Sequence, residues 1–97
     1  MAEQREDKGA AWRRAVALRY RQGQDRAPVV VASGRGWLAE KIIALARESN
    51  IPVYDHQPLA EILQSLNPGE EIPVELYEAV AAVYAFILDV DSRLKQK

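Results

Sequence analysis

His56 is the only histidine of the 97-residue chain, and it stands between Asp55 and Gln57. Acid–base catalysis from it would need a nucleophile or a second positioned carboxylate, and no motif supplies either. A metal needs several such ligands. With no cysteine there is also no thiolate nucleophile, thiolate metal site or disulfide. His56 therefore reads as a surface-loop residue, and no catalytic residue, metal or cofactor is expected. Ser33-Gly34-Arg35-Gly36 has the look of a turn ahead of a helix, where backbone N–H groups and a guanidinium can face an anion. Its spacing fits neither the dinucleotide nor the phosphate-loop pattern, so it reads as a structural turn. Trp12-Arg13-Arg14 with Arg19, Arg21 and Arg26 gives the first third a basic bias, while Glu70, Glu71, Glu75 and Glu78 make a later stretch acidic. A formal charge of −1 removes the surplus that drives nucleic-acid or anionic-membrane binding. A small ligand- or RNA-binding domain using the Ser33 to Gly36 turn and these arginines is kept as the alternative function.

The elements that must position such residues follow from periodicity. Hydrophobic residues make up 48% and charged residues 28%, the balance of one folded domain. No apolar run approaches the roughly 20 residues of a membrane-spanning helix, and the expected location is the cytoplasm. Residues 1–12 read as a flexible polar segment and 13–94 as the domain. Ala15-Val16-Ala17-Leu18-Arg19-Tyr20 alternates as a strand. The polar stretch 21–26, with Gly23, turns it back into Pro28-Val29-Val30-Val31-Ala32, whose continuous β-branched run predicts a central strand buried on both faces.

Trp37, Leu38, Ile42, Leu45 and Ala46 then recur as the apolar stripe of a helix that Asn50 ends in a left-handed conformation. Ile51-Pro52-Val53-Tyr54 reads as a third strand, completing a βαβ unit. A second, short helix begins at Pro58, carries Leu59, Ile62, Leu63 and Leu66 on one face, and stops at Asn67-Pro68-Gly69. Pro73 opens a third helix with a heptad-like seam of Leu76, Val80, Val83, Ile87, Val90 and Leu94. Beside it runs a second seam, Tyr77, Ala81, Tyr84 and Leu88, more than a single docking face needs. The expected fold class is α/β, a single domain whose small mixed sheet of three or four strands, hairpin plus βαβ unit, is surrounded by helices.

Five segments taken in order carry a resemblance. They are Ala15-Val16-Ala17-Leu18-Arg19-Tyr20, Ala27-Pro28-Val29-Val30-Val31-Ala32-Ser33-Gly34, Ile51-Pro52-Val53, Pro58-Leu59-Ala60 and the run from Gly69 to Ala81. Together the chain resembles the cytoplasmic domain of the FlhB, YscU and EscU family. The resemblance implies a mixed sheet ringed by helices and a place at the cytoplasmic face of the flagellar or type III secretion export gate. There, family members contact export substrates and help switch the class exported. Expected partners are therefore export substrates and export-gate components, with any membrane association indirect.

Two departures from the family stand out. The membrane-spanning half is absent, so the chain resembles a free-standing paralogue of the cytoplasmic part. The family's self-cleavage motif Asn-Pro-Thr-His aligns with Ala10-Ala11-Trp12-Arg13. Cleavage in the family begins when the asparagine side-chain amide attacks its own carbonyl to form a cyclic imide, and alanine has no such nucleophile. The resemblance further implies a shallow apolar partner-binding patch. Its Ala-Pro pair matches Ala27 and Pro28, its helix alanine matches Ala81, and its leucine position holds Tyr84. On this reading Ala27→Asp is expected to spare folding and weaken binding.

Overall fold

The computed structural model describes residues 13–85. Strands β1 (Arg14–Arg19) and β2 (Val29–Arg35) pair antiparallel from Arg14 opposite Arg35 to Arg19 opposite Val29, with a bulge where the register shifts between Ala17 and Leu18. The hairpin and its polar connection thus form as the alternation predicts. Asp25 locks the turn, accepting from the Arg21 N–H at 2.8 Å and from its guanidinium at 3.3 Å, while Gly23 takes the positive φ of 85° that the reversal requires.

Two expectations about β2 need correction. Val30 is fully buried but Val31 is 44% exposed, so the β-branched run covers one face rather than two. Ser33, Gly34 and Arg35 continue the strand instead of turning, and only Gly36, at φ 62°, leaves it. The Gly36 N–H donates to the Arg13 carbonyl at 2.7 Å, which extends the pairing past the strand end.

Helix α1 (Trp37–Glu48) follows. Its buried residue is Ala39, with Ile42, Ile43 and Ala46 half-buried, whereas Trp37 is 74% exposed and Leu38 and Leu45 are also exposed. The docked stripe is therefore rotated from the predicted one, because a small residue lets the helix approach the sheet closely. Gly34 records that approach: a Cβ there would sit 2.6 Å from Leu38 Cγ. The helix ends as expected, with Asn50 left-handed at φ 59°, its N–H on the Arg47 carbonyl and the Ile51 N–H on the Ala46 carbonyl.

Among the described residues, 51–56 carry no strand and the sheet has two strands, in the order β1-β2, so the third strand of the expected βαβ unit is not seen there. Pro52 has no N–H to donate, and the free edge of β1 at Arg14 is already occupied. There, Gln57 Oε1 accepts the Arg14 N–H at 2.9 Å and Gln57 Nε2 donates to the Arg14 carbonyl at 3.2 Å. Gln57 opens helix α2 (Gln57–Leu63), whose cap is His56: its Nδ1 accepts the Leu59 N–H at 3.1 Å. Just past α2, Gln64 Nε2 donates to the Gly34 carbonyl on β2 at 2.7 Å. Gln57 and Gln64 are two helical turns apart, so α2 grips both strands at one end of the hairpin.

Beyond Gly69, the chain returns along the outer edge of β2. Gly69 N–H meets the Val30 carbonyl at 2.7 Å, Val30 N–H the Glu70 carbonyl at 2.9 Å and Ile72 N–H the Pro28 carbonyl at 2.9 Å, with an antiparallel bridge between Val29 and Glu71. A 3-10 turn (Val74–Leu76) leads into helix α3, residues 77–85. Ala27 from the approach to β2, Leu63 from α2, Ile72 from the returning segment and Val80 from α3 form the central buried cluster, and Val16, Leu18, Leu59, Leu66, Leu76 and Tyr84 pack around it. The polar segment 1–12 and the later seam positions Ile87, Leu88, Val90 and Leu94 lie outside the described residues.

Candidate functional site

Helix α3 carries its two predicted seams differently. Val80 is 1% exposed and Leu76 and Val83 are half-buried, so the first seam faces the core. Along the second, Tyr77 and Ala81 are exposed and Tyr84 is half-buried. Positions 77, 81 and 84 share one helical face, and Tyr20, itself exposed, brings its ring to 6.4 Å from that of Tyr84 in a tilted arrangement. An apolar strip of small and aromatic side chains thus remains at the surface between the end of β1 and α3. Burial raises the Tyr84 hydroxyl above its ordinary value of 10.0, since ionisation would strand a charge against the core.

The four residues expected to bind a partner are not equivalent. Ala81 is open to solvent, Tyr84 packs on the central cluster with one side still exposed, and Pro28 is half-buried with its carbonyl committed to Ile72. Ala27 is 2% exposed and belongs to the cluster itself. A carboxylate placed there would lie in the core, so the expectation that Ala27→Asp spares folding is corrected.

On the other side of Tyr84 opens a cleft of about 600 Å³, walled by β1, α1, segment 51–57 and the α3 residues Val80, Val83 and Tyr84. Ile51, Val53 and Tyr54 are exposed along it, and the Tyr54 ring stacks on His56 with centroids 6.0 Å apart. Tyr84 is the one patch residue shared between the strip and the cleft. Nothing in the sequence singled out Gln57, which lines one end of this cleft, or Gln64, which ties the end of α2 to β2. Their role lies in where an amide falls across a sheet edge, and spacing alone does not carry that.

The features reserved for an anion or RNA fare less well. The turn that was to present N–H groups is mostly strand, and the Gly36 N–H is engaged. Arg13 pairs with Glu40 at 2.9 Å, Arg19 and Arg21 converge on Asp25, and Arg26 meets Glu71 at 4.0 Å, so much of the basic bias is answered locally. The paired Arg21 side chain and N–H, with Arg19 nearby, hold the Asp25 carboxyl below its ordinary value of 3.8. Among the described residues no three His, Asp or Glu side chains gather as a metal site would require, and no helix is long and apolar enough to cross a membrane.

Comparison with known proteins meets this geometry from outside. Residues 12–87 match the model of the FlhB HrpN YscU SpaS Family. The uncharacterized protein YlqH of Bacillus subtilis is 39% identical over 85 residues, covering 88% of this chain and 91% of that one. The flagellar biosynthetic protein FlhB of Aquifex aeolicus is 41% identical over 75 residues, covering 76% of this chain but 21% of FlhB. In structure, the PscU C-terminal domain superposes with a TM-score of 0.72 at 33% identity, over 76% of this chain and 95% of that domain.

Proposed function

The chain belongs to the FlhB, HrpN, YscU and SpaS family, and on that premise we propose that it is a non-enzymatic protein-binding module of the flagellar or type III export apparatus. It docks export substrates or export-gate components at the cytoplasmic face, and it does so without cutting itself. The observation that carries this reading is the exposed strip of Tyr77, Ala81 and Tyr84, two of whose members coincide with the patch that the family resemblance implies. Partners meet Ala81, Tyr84 and the flank of Pro28, while Ala27 supports the patch from beneath. Tyr84 offers an apolar ring with a polar tip, which alters the preference among partners without closing the patch. The same reading keeps the fuller sheet of three or four strands, with segment 51–54 as the additional strand.

Affinity purification of the tagged protein from its own cells, during assembly of the export apparatus, tests this function. Export substrates or gate components should be enriched, and Ala81→Asp should reduce their recovery several-fold at unchanged protein level, because an interface charge is costly to desolvate. Absence of such partners from the unaltered protein would sink the export reading. Undiminished recovery with a folded Ala81→Asp variant would remove α3 from the docking surface.

A further inference from the structure

His56 stands at the head of α2, where its Nδ1 accepts the Leu59 N–H at 3.1 Å. A ring nitrogen accepts a hydrogen bond only while it carries no proton, so the ring in this pose is neutral and keeps its hydrogen on Nε2. An imidazolium has two donors and no acceptor, and it cannot make this bond. The two contacts that seat the start of α2 lie on either side of the cap. Gln57, next in the chain, holds the N–H and the carbonyl of Arg14, and the Leu59 side chain packs against the central cluster. The cap thus joins the helix's grip on β1 to its grip on the core.

The surroundings give a charged ring nothing in exchange. Asp55 precedes it, Glu61 lies further along α2, and the Tyr54 ring stacks on it with centroids 6.0 Å apart. Along the cleft that His56 helps to line stand Arg13, Arg14, Arg19 and Tyr20 on and beside β1, Arg47 of α1 and Tyr84 of α3. Among the described residues no carboxylate forms an ion pair with the ring. Protonation therefore loses the cap and sets a cation beside a basic rim, at the end of a helix where positive charge is disfavoured.

We propose that His56 is a pH-sensitive latch on α2. In neutral form it holds the first turn closed. On acidification it lets that turn go, which loosens Gln57 from the edge of β1 and from the end of the cleft that Gln57 lines. The fold uses the neutral ring, so the latch contributes its full stability above the ordinary imidazole range, centred at about pH 6.5, and loses it on acidification. His56 is the one histidine of the chain, and no other side-chain type it contains ordinarily titrates between about pH 5 and 8. The inference rests on the cap and stands whether or not the protein works in export.

NMR on the full chain tests it. At about pH 7.5 the ring nitrogens of His56 should show the proton on Nε2 and a bare, accepting Nδ1. Between about pH 7.5 and 5.5 the Leu59 amide and the Gln57 side-chain amide should move with the His56 ring on one titration curve. Over the same interval the folded-to-unfolded ratio read by urea unfolding should fall about fivefold, the usual weight of a helix cap, beyond any change in His56→Asn. Asparagine keeps a capping side chain and cannot titrate. A neutral ring with its proton on Nδ1 would overturn the proposal, and that measurement needs no variant. So would a Leu59 amide that stays still while the ring titrates, or an equal loss of stability in His56→Asn.

Discussion

Tyr84 and Asp25 show how far single side chains depart from their ordinary chemistry here, and in opposite directions. For Tyr84 the folded-state value is raised by burial, so the unfolded chain ionises first as pH climbs past 10.0. Its contribution to stability is whole below that pH and is lost above it. Tyr84→Phe should therefore remove part of the alkaline loss of stability, seen as a flatter high-pH limb in thermal melts. For Asp25 the value is depressed by Arg21, so its contribution is whole above 3.8 and is lost as pH falls through the lower folded value. Carbon-detected titration of the Asp25 carboxyl should give a midpoint below 3.8, and Asp25→Asn should loosen the hairpin turn at neutral pH. Neither shift is legible in the sequence. Asp25 is one acidic residue in a polar connection until the turn folds its carboxylate onto the Arg21 N–H, and Tyr84 belongs to a seam whose burial depends on the rest of the fold.

Between elements, what was legible is what is decided locally. Alternation in β1, the Gly-containing connection, the left-handed Asn50 and the proline in the first turn of α2 are all short-range signals, and each appears where it was expected. What was misread depends on the neighbour. Trp37 fits a helical stripe as well as Ala39 does, but the fold buries Ala39 completely and leaves Trp37 74% exposed. Likewise 51–54 has the residues of a strand, and pairing depends on an edge that the sequence does not show. Helix α2 holds the hairpin through side-chain amides, which gives a direct test of their weight. Gln57→Leu keeps the bulk and removes two hydrogen bonds from partly buried backbone, at a cost of about 1–3 kcal/mol in urea unfolding. A cost below about 0.5 kcal/mol would mean that water replaces the amide at that edge.

For the molecule as a whole, the missing asparagine sets the chain apart from the self-cleavage that the family resemblance implies. A chain with Ala10-Ala11-Trp12-Arg13 where the resemblance implies Asn-Pro-Thr-His should stay in one piece, and intact mass after prolonged incubation should equal that of the full chain. Two fragments parting near Ala10 would show a cleavage chemistry that needs no asparagine. The central cluster has a further consequence, for the chain as it is being made. Ala27 belongs with Leu63, Ile72 and Val80, so the hairpin leaves the site of synthesis long before the last member of its core exists. At about 5–20 residues added per second, that interval lasts seconds, whereas a hairpin forms in about 1–10 μs. An isolated two-stranded hairpin is at best marginally stable in water, so through those seconds the nascent hairpin lacks the core that would hold it and its apolar face stays uncovered. Whatever shields that face at birth meets the same residues that α3 later hides.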